Sequence, residues 1–169
     1  SDVCSSDLIA TFAFDFFGQG NSDGPFAALT TTIAVAQANA ALDLVRQKGF
    51  VRLGLMGSSF GGLVAILTAA QRQDLACLAL KCPVVDFAEE LRLTLGDAEM
   101  VRWKATDTIP NIMGGAERIG LRYAFYEDCL HHIAYEPAKP ITAPTLIVQG
   151  DRDECVPLHQ RDRKSTRLN

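Results

Sequence analysis

No apolar run in this 169-residue chain approaches the roughly 20 residues that a helix needs to cross a bilayer, and residues 1–8 lack the basic and apolar regions of a secretory signal. No membrane partner is expected. Positive charge is not in excess either: 16 Lys and Arg stand against 20 Asp and Glu, for a net charge of -4, with no Lys/Arg-rich face to neutralise phosphates. That argues against nucleic acid as a partner. The five cysteines, Cys4, Cys77, Cys82, Cys129 and Cys155, form no C-x-x-C pair and are odd in number, a poor disulfide framework. They read as reduced thiols in a cytoplasm. Internal repeats and low-complexity stretches are also missing. What is present is a composition 48% hydrophobic with 13 Gly and 7 Pro, that of one globular domain with a core of its own.

Both ends stand apart from that composition. Residues 1–8 and 163–169 resemble translated sequencing-adapter sequence, so the biological domain is expected at 9–162. Within it the patterning alternates. Residues 9–16 are a short apolar, aromatic run that stops at a Gly- and Asn-rich turn, and read as a buried strand. Residues 30–48 carry Ile33, Ala36, Ala40, Ala41 and Leu44 at helical spacing, with threonine hydroxyls to cap the start and Gly49 to end it. A strand at 51–56, a helix at 60–71, a strand at 75–82 and a later strand at 145–149 complete the series. Strands alternating with helices predict the α/β class: a mainly parallel sheet flanked by helices on both faces.

Residues 84–143 break this rhythm, because they separate two strands by far more chain than any other pair. Weak helical periodicity over 86–95, 99–106 and 117–132 predicts a small helical cap inserted beside the carboxyl ends of the strands. A cap there would shape a pocket and exclude water.

Three motifs carry chemistry. Gly57-Ser58-Ser59-Phe60-Gly61-Gly62 lies between a predicted strand and a predicted helix, the context of a G-x-S-x-G nucleophile elbow. Such a turn projects the Ser59 hydroxyl above the sheet, and glycines on both flanks avoid collisions with neighbouring elements. The N–H of Phe60, at the helix N-terminus, faces a developing oxyanion. Residues 144–157 place Asp151 and Asp153 just past a strand's carboxyl end, where open α/β sheets hold their sites. Residues 14–24 add a turn of the form D-x-x-G-x-G-x-S-D-G beginning at Asp15.

Together these motifs resemble the α/β-hydrolase superfamily, in particular serine aminopeptidase-like and cinnamoyl- or feruloyl-esterase-like hydrolases. Phe17 and Gln19 depart from the Arg and His that such proteins often carry in the Asp15 turn. The resemblance implies a serine hydrolase acting on a carboxylic ester or related acyl bond, with Ser59 as nucleophile, Asp153 as triad acid and Phe60 as oxyanion donor; Asp151 braces its loop. Peptide or thioester cleavage, and a non-catalytic hydrolase-like binding module, are the alternatives. A small-molecule acyl substrate and no metal or organic cofactor follow from the same resemblance. It further implies a histidine after the acid. His131 and His132 precede Asp153 and read as exposed polar positions on a cap helix, and His159 lies too near it to be its partner. A strand between those at 9–16 and 51–56 is implied as well, so the resemblance predicts a gap or an improvised pairing there, and an inactive fragment.

Overall fold

This computed structural model describes residues 3–6, 9–110 and 120–150. Its centre is a parallel three-stranded sheet in the order β3 (Leu53–Ser58), β4 (Leu75–Lys81), β7 (Thr145–Val148). The helix α2 (Phe60–Ala70) connects the first two strands and packs across both. Its residues from Gly62 to Ala69 are all buried, as expected of a helix that is apolar all round and covered on every side. Register sets the inner face. Leu55 and Gly57 lie beside Leu78 and Leu80, which lie beside Thr145 and Ile147, so this row of side chains meets α2.

A second helix, α1 (Thr31–Gln47), packs along α2. Thr30 caps it, its hydroxyl accepting from Ile33 N at 3.1 Å. The helix is where its spacing predicts, but the buried face is not. Thr31, Ala34, Val35, Ala38 and Leu42 turn inward, whereas Ala36 and Ala40 are exposed and Leu44 is largely so. Two alanines on the inward face let α1 approach α2 closely, and an Ala-rich helix carries two apolar stripes between which periodicity alone does not choose.

Residues 9–16 also depart from expectation. Only β2 (Ile9–Phe12) is a strand, and it pairs antiparallel with β1 (Val3–Ser6) rather than joining the parallel sheet. Ile9, Ala10 and Thr11 are exposed, not buried: among the described residues this strand pairs with β1 alone. The outer edge of β3 consequently has no strand partner among the described residues. No helix among the described residues covers the sheet's second face, predicted to be covered: Met56 is 73%, Leu146 63% and Val148 55% exposed. Both α1 and α2 lie on the other side.

Between β4 and β7 the chain forms α3 (Phe87–Thr106), the short pair β5 (Ile109–Pro110) and β6 (Gly120–Leu121), and α4 (Tyr123–Cys129). The two helices expected over 86–95 and 99–106 run together as α3, broken at Gly96, whose φ of 72° leaves the helical region. The third is shorter than expected and ends at Cys129, which puts His131 and His132 in the following turn. Trp103 is fully buried and donates from Nε1 to the Leu121 carbonyl at 2.7 Å, and Asp107 Oδ1 accepts from Tyr123 N at 3.0 Å. These bonds tie α3 to α4.

Candidate active site

β3 ends at Ser58 and α2 begins at Phe60, so the whole change of direction falls on Ser59, at φ 50° and ψ -120°. A non-glycine residue at positive φ is strained and persists only when its surroundings over-determine it. They do so here through the segment after β4. Ser59 N donates to the Lys81 carbonyl at 3.1 Å, and Val84 N donates to the Ser59 carbonyl at 3.1 Å. The same carbonyl accepts from Gly62 at 2.9 Å and Leu63 at 3.3 Å. Residues 81–84 therefore hold both backbone groups of Ser59, and Cys82 itself adopts a φ of 42° to do so.

The glycines beside this turn are not equivalent. A Cβ at Gly57 would meet the Gly61 carbonyl oxygen at 2.2 Å, and one at Gly62 would meet Pro83 Cβ at 2.6 Å. One at Gly61 would meet nothing within 4 Å. The steric demand expected of both motif glycines thus belongs to Gly57 and to Gly62. Ser59 is exposed and does not use its hydroxyl to cap α2. Phe60, the first residue of α2, has an N–H without a partner inside the helix, as every helix start does. Hydroxyl and amide stand at one helix N-terminus, an arrangement suited to an acyl carbon and its oxyanion.

The Asp15 turn closes on itself beside this point. Asp15 Oδ2 accepts from Asn21 N at 3.1 Å and the Asp15 carbonyl accepts from the Ser22 hydroxyl at 2.5 Å. Phe17 N donates to Gln37 Oε1 of α1 at 3.0 Å, and the Phe16 ring lies 6.0 Å from that of Phe60. The turn thus packs beside the elbow.

Asp151, Asp153 and His159 lie outside the described residues. The strand from which they follow is aligned with the elbow, however. Ser58 pairs with Lys81 and Lys81 with Val148, so β3 and β7 end level, two strand spacings or about 10 Å apart. His132, expected as an exposed helical residue, is partly buried in its turn, with Nε2 2.8 Å from Thr32 Oγ1. Thr32 in turn donates to Asp128 Oδ1 at 2.5 Å, and its N–H to Asp128 Oδ2 at 3.0 Å. This network joins α1 to α4. Next to it Cys129 is buried and its thiol is pushed up to about 12, chiefly by burial. Cys77, Cys82 and Cys129 are free thiols, and no group of His, Cys, Asp and Glu suited to a metal ion occurs among the described residues. None of their helices is long and apolar enough to cross a membrane.

Sequence reasoning missed the 81–84 clasp and the ring contacts of Phe60. The proline at 83, immediately after a strand, was the one available signal for the clasp; the ring contacts leave no trace in periodicity.

A sequence profile of the family described as serine aminopeptidase, S33, matches residues 6–120. The rat protein named palmitoyl-protein thioesterase ABHD10, mitochondrial, is 24% identical over 162 residues, covering 94% of this chain. This chain spans only 54% of that relative's length. Est1E from Butyrivibrio proteoclasticus, solved with ferulic acid bound, superposes with a TM-score of 0.75 at 27% identity, over 91% of this chain and 61% of that one. The mouse α/β-hydrolase domain-containing protein 10 shares the fold, with a TM-score of 0.71 at 21% identity over 90% of this chain and 61% of its own.

Proposed function

The chain belongs to the serine aminopeptidase S33 family of α/β-hydrolases, and on that premise we propose that it carries the nucleophile half of a serine hydrolase cleaving a carboxylic ester or related acyl bond. The observation that carries this reading is the strained backbone of Ser59, clamped at both its N–H and its carbonyl by residues 81–84. Strain of this kind has no packing purpose at an exposed serine, and it aims a hydroxyl away from the sheet beside an open helix N-terminus.

In the reaction Ser59 attacks the acyl carbon and its proton passes to a histidine. The Phe60 N–H stabilises the oxyanion, and collapse of the tetrahedral intermediate expels the alcohol and leaves an acyl-enzyme for water to hydrolyse. Asp153 orients that histidine. Asp151 holds the loop through hydrogen bonds to its own turn. Residues 84–143 act as a cap, with α3 and α4 beside the elbow. No metal or organic cofactor is needed, and the free thiols suit a reducing, cytoplasmic setting. Thioester cleavage is the second reading, resting on the rat relative's name; it changes the leaving group and not the machinery.

The test is hydrolysis of a p-nitrophenyl ester and of a long-chain acyl thioester by the full-length protein. Ser59→Ala should abolish both. Asp153→Asn should keep the fold and lower kcat by about 10⁴, the size seen when a triad histidine is held in the wrong tautomer. Asp151→Asn should cost about 1 kcal/mol of stability instead. Full turnover by Ser59→Ala would sink the proposal.

A further inference from the structure

The Phe60 side chain stands at the meeting point of three separate segments. Its ring centroid lies 6.0 Å from that of Phe16 in the Asp15 turn, 5.3 Å from Phe87 at the start of α3, and 5.6 Å from Phe125 in α4. Phe87 and Phe125 also meet each other edge to face, at 5.7 Å and 90°, so Phe60, Phe87 and Phe125 close a triangle. Phe125 is 2% exposed, while Phe60 and Phe87 are half-buried.

We propose that Phe87 and Phe125 are positioning residues that set the direction of the Phe60 N–H, so that the cap holds the oxyanion donor in register with Ser59. This rests on the hydrolase reading and extends it from the catalytic groups to the elements that aim them. The geometry supplies the reason. Phe60 sits at the first position of α2, where no preceding helical turn restrains it, and its neighbour Ser59 is strained. The Ser59 carbonyl, in the same peptide, is held by Val84, Gly62 and Leu63; the ring is the second handle on that peptide, on the Phe60 side. Contacts on three sides, at separations and tilts typical of attractive aromatic pairs, leave it one position.

The elements that carry the two cap rings are also tied to each other. Asp107 bridges the end of α3 to the start of α4, Trp103 bonds Leu121, and the Trp103 ring lies 5.5 Å from Tyr123 and 6.2 Å from Tyr126. At its other end α3 grows directly out of the clasp: Val84 bonds Ser59, and Asp86 caps α3 by accepting from Glu89 N at 2.8 Å. A displacement of the cap thus reaches the nucleophile's backbone through residues 81–84 and the oxyanion donor through the rings.

The experiment uses the full-length protein with Phe87→Leu, Phe125→Leu and the ring-preserving Phe87→Tyr. Turnover is normalised to sites titrated with a fluorophosphonate, and affinity is measured for an alkyl boronic acid, which binds as a mimic of the tetrahedral intermediate. Each leucine variant should lose about tenfold in kcat per titrated site with KM within about twofold, and bind the boronic acid about tenfold more weakly. Phe87→Tyr should retain both. If the rings only stabilise the cap, melting temperature and the number of titratable sites fall while kcat per site and boronic acid affinity hold, and the proposal is overturned. It is equally overturned if kcat falls without a parallel loss of boronic acid affinity. Should Phe125→Leu not fold, Phe87→Leu, at a half-buried position, decides the matter. Failure of the hydrolase reading is visible separately, as unaltered turnover in Ser59→Ala.

Discussion

Gly62 rests directly against Pro83. A methyl group placed on Gly62 would stand 2.6 Å from Cβ and 2.7 Å from Cα of that proline, which is itself fully buried. Neither can yield, because Gly62 begins the buried run of α2 and Pro83 lies within the segment that holds both backbone groups of Ser59. Gly62→Ala should therefore cost about 1–3 kcal/mol as an overpacked contact. Gly61→Ala, one residue earlier and facing open space, should be neutral or stabilise by up to about 1 kcal/mol, since alanine is the better helix former. Denaturant unfolding of the two variants decides; equal losses would show that the glycine requirement is not this contact.

The strain at Ser59 can be measured without any substrate. Glycine reaches positive φ at no steric cost, whereas alanine retains the Cβ that makes this conformation expensive. Ser59→Gly should exceed Ser59→Ala in stability by about 1–2 kcal/mol by chemical denaturation, with the unfolded-state entropy of glycine taking back part of the difference. A Ser59→Gly variant less stable than Ser59→Ala would mean that the turn is relaxed.

The open face of the sheet carries its own expectation. Met56, Leu146 and Val148 are each more than half exposed on strands whose register aligns them, and beside Met56 the outer edge of β3 has no strand partner among the described residues. The 169-residue chain should self-associate through this surface. Met56→Lys with Leu146→Lys should suppress light scattering on concentration while shifting stability by no more than about 0.5 kcal/mol each, as substitutions at exposed sites do. Scattering that is unchanged in the double variant would place the sticky surface elsewhere.

Away from the elbow, Arg72 contacts Asp74 at 2.9 Å and Asp43 at 2.7 Å, and Arg46 contacts Asp74 at 2.8 Å. The Arg72 guanidinium, chiefly by hydrogen bonding, holds the Asp74 carboxyl at about 2, below its ordinary 3.8. A depressed carboxyl stabilises the fold above its unfolded value and loses that contribution as pH falls toward its folded one. The gap in melting temperature between the native chain and Asp74→Asn should accordingly be constant above about pH 5, shrink as pH falls through about 4 to 2, and vanish only below that, at about pH 1. Solvent screening keeps the effect to about 1 kcal/mol or less. A gap as large at about pH 1 as at about pH 6 would assign it to packing.

By itself the sequence determined what local rules determine. Strand and helix order, the cap of α1 at Thr30, the break of α3 near Gly96 and the elbow around Ser59 all follow from residue types within one or two turns of chain. Turn chemistry and period act over such distances, so they can be read without partners. Tertiary structure decided what depends on neighbours remote in sequence. The inward face of α1 is one case, chosen by how closely Ala34 and Ala38 let it approach α2. Another is the pairing of β2, which burial would favour inside a sheet but which among the described residues pairs with β1. The clasp of residues 81–84 on Ser59 and the rings of Phe87 and Phe125 on Phe60 are of the same kind. Beyond the proline at 83 no pattern along the chain encodes them, because they join segments remote in sequence that only the packing of α2, α3 and α4 brings together.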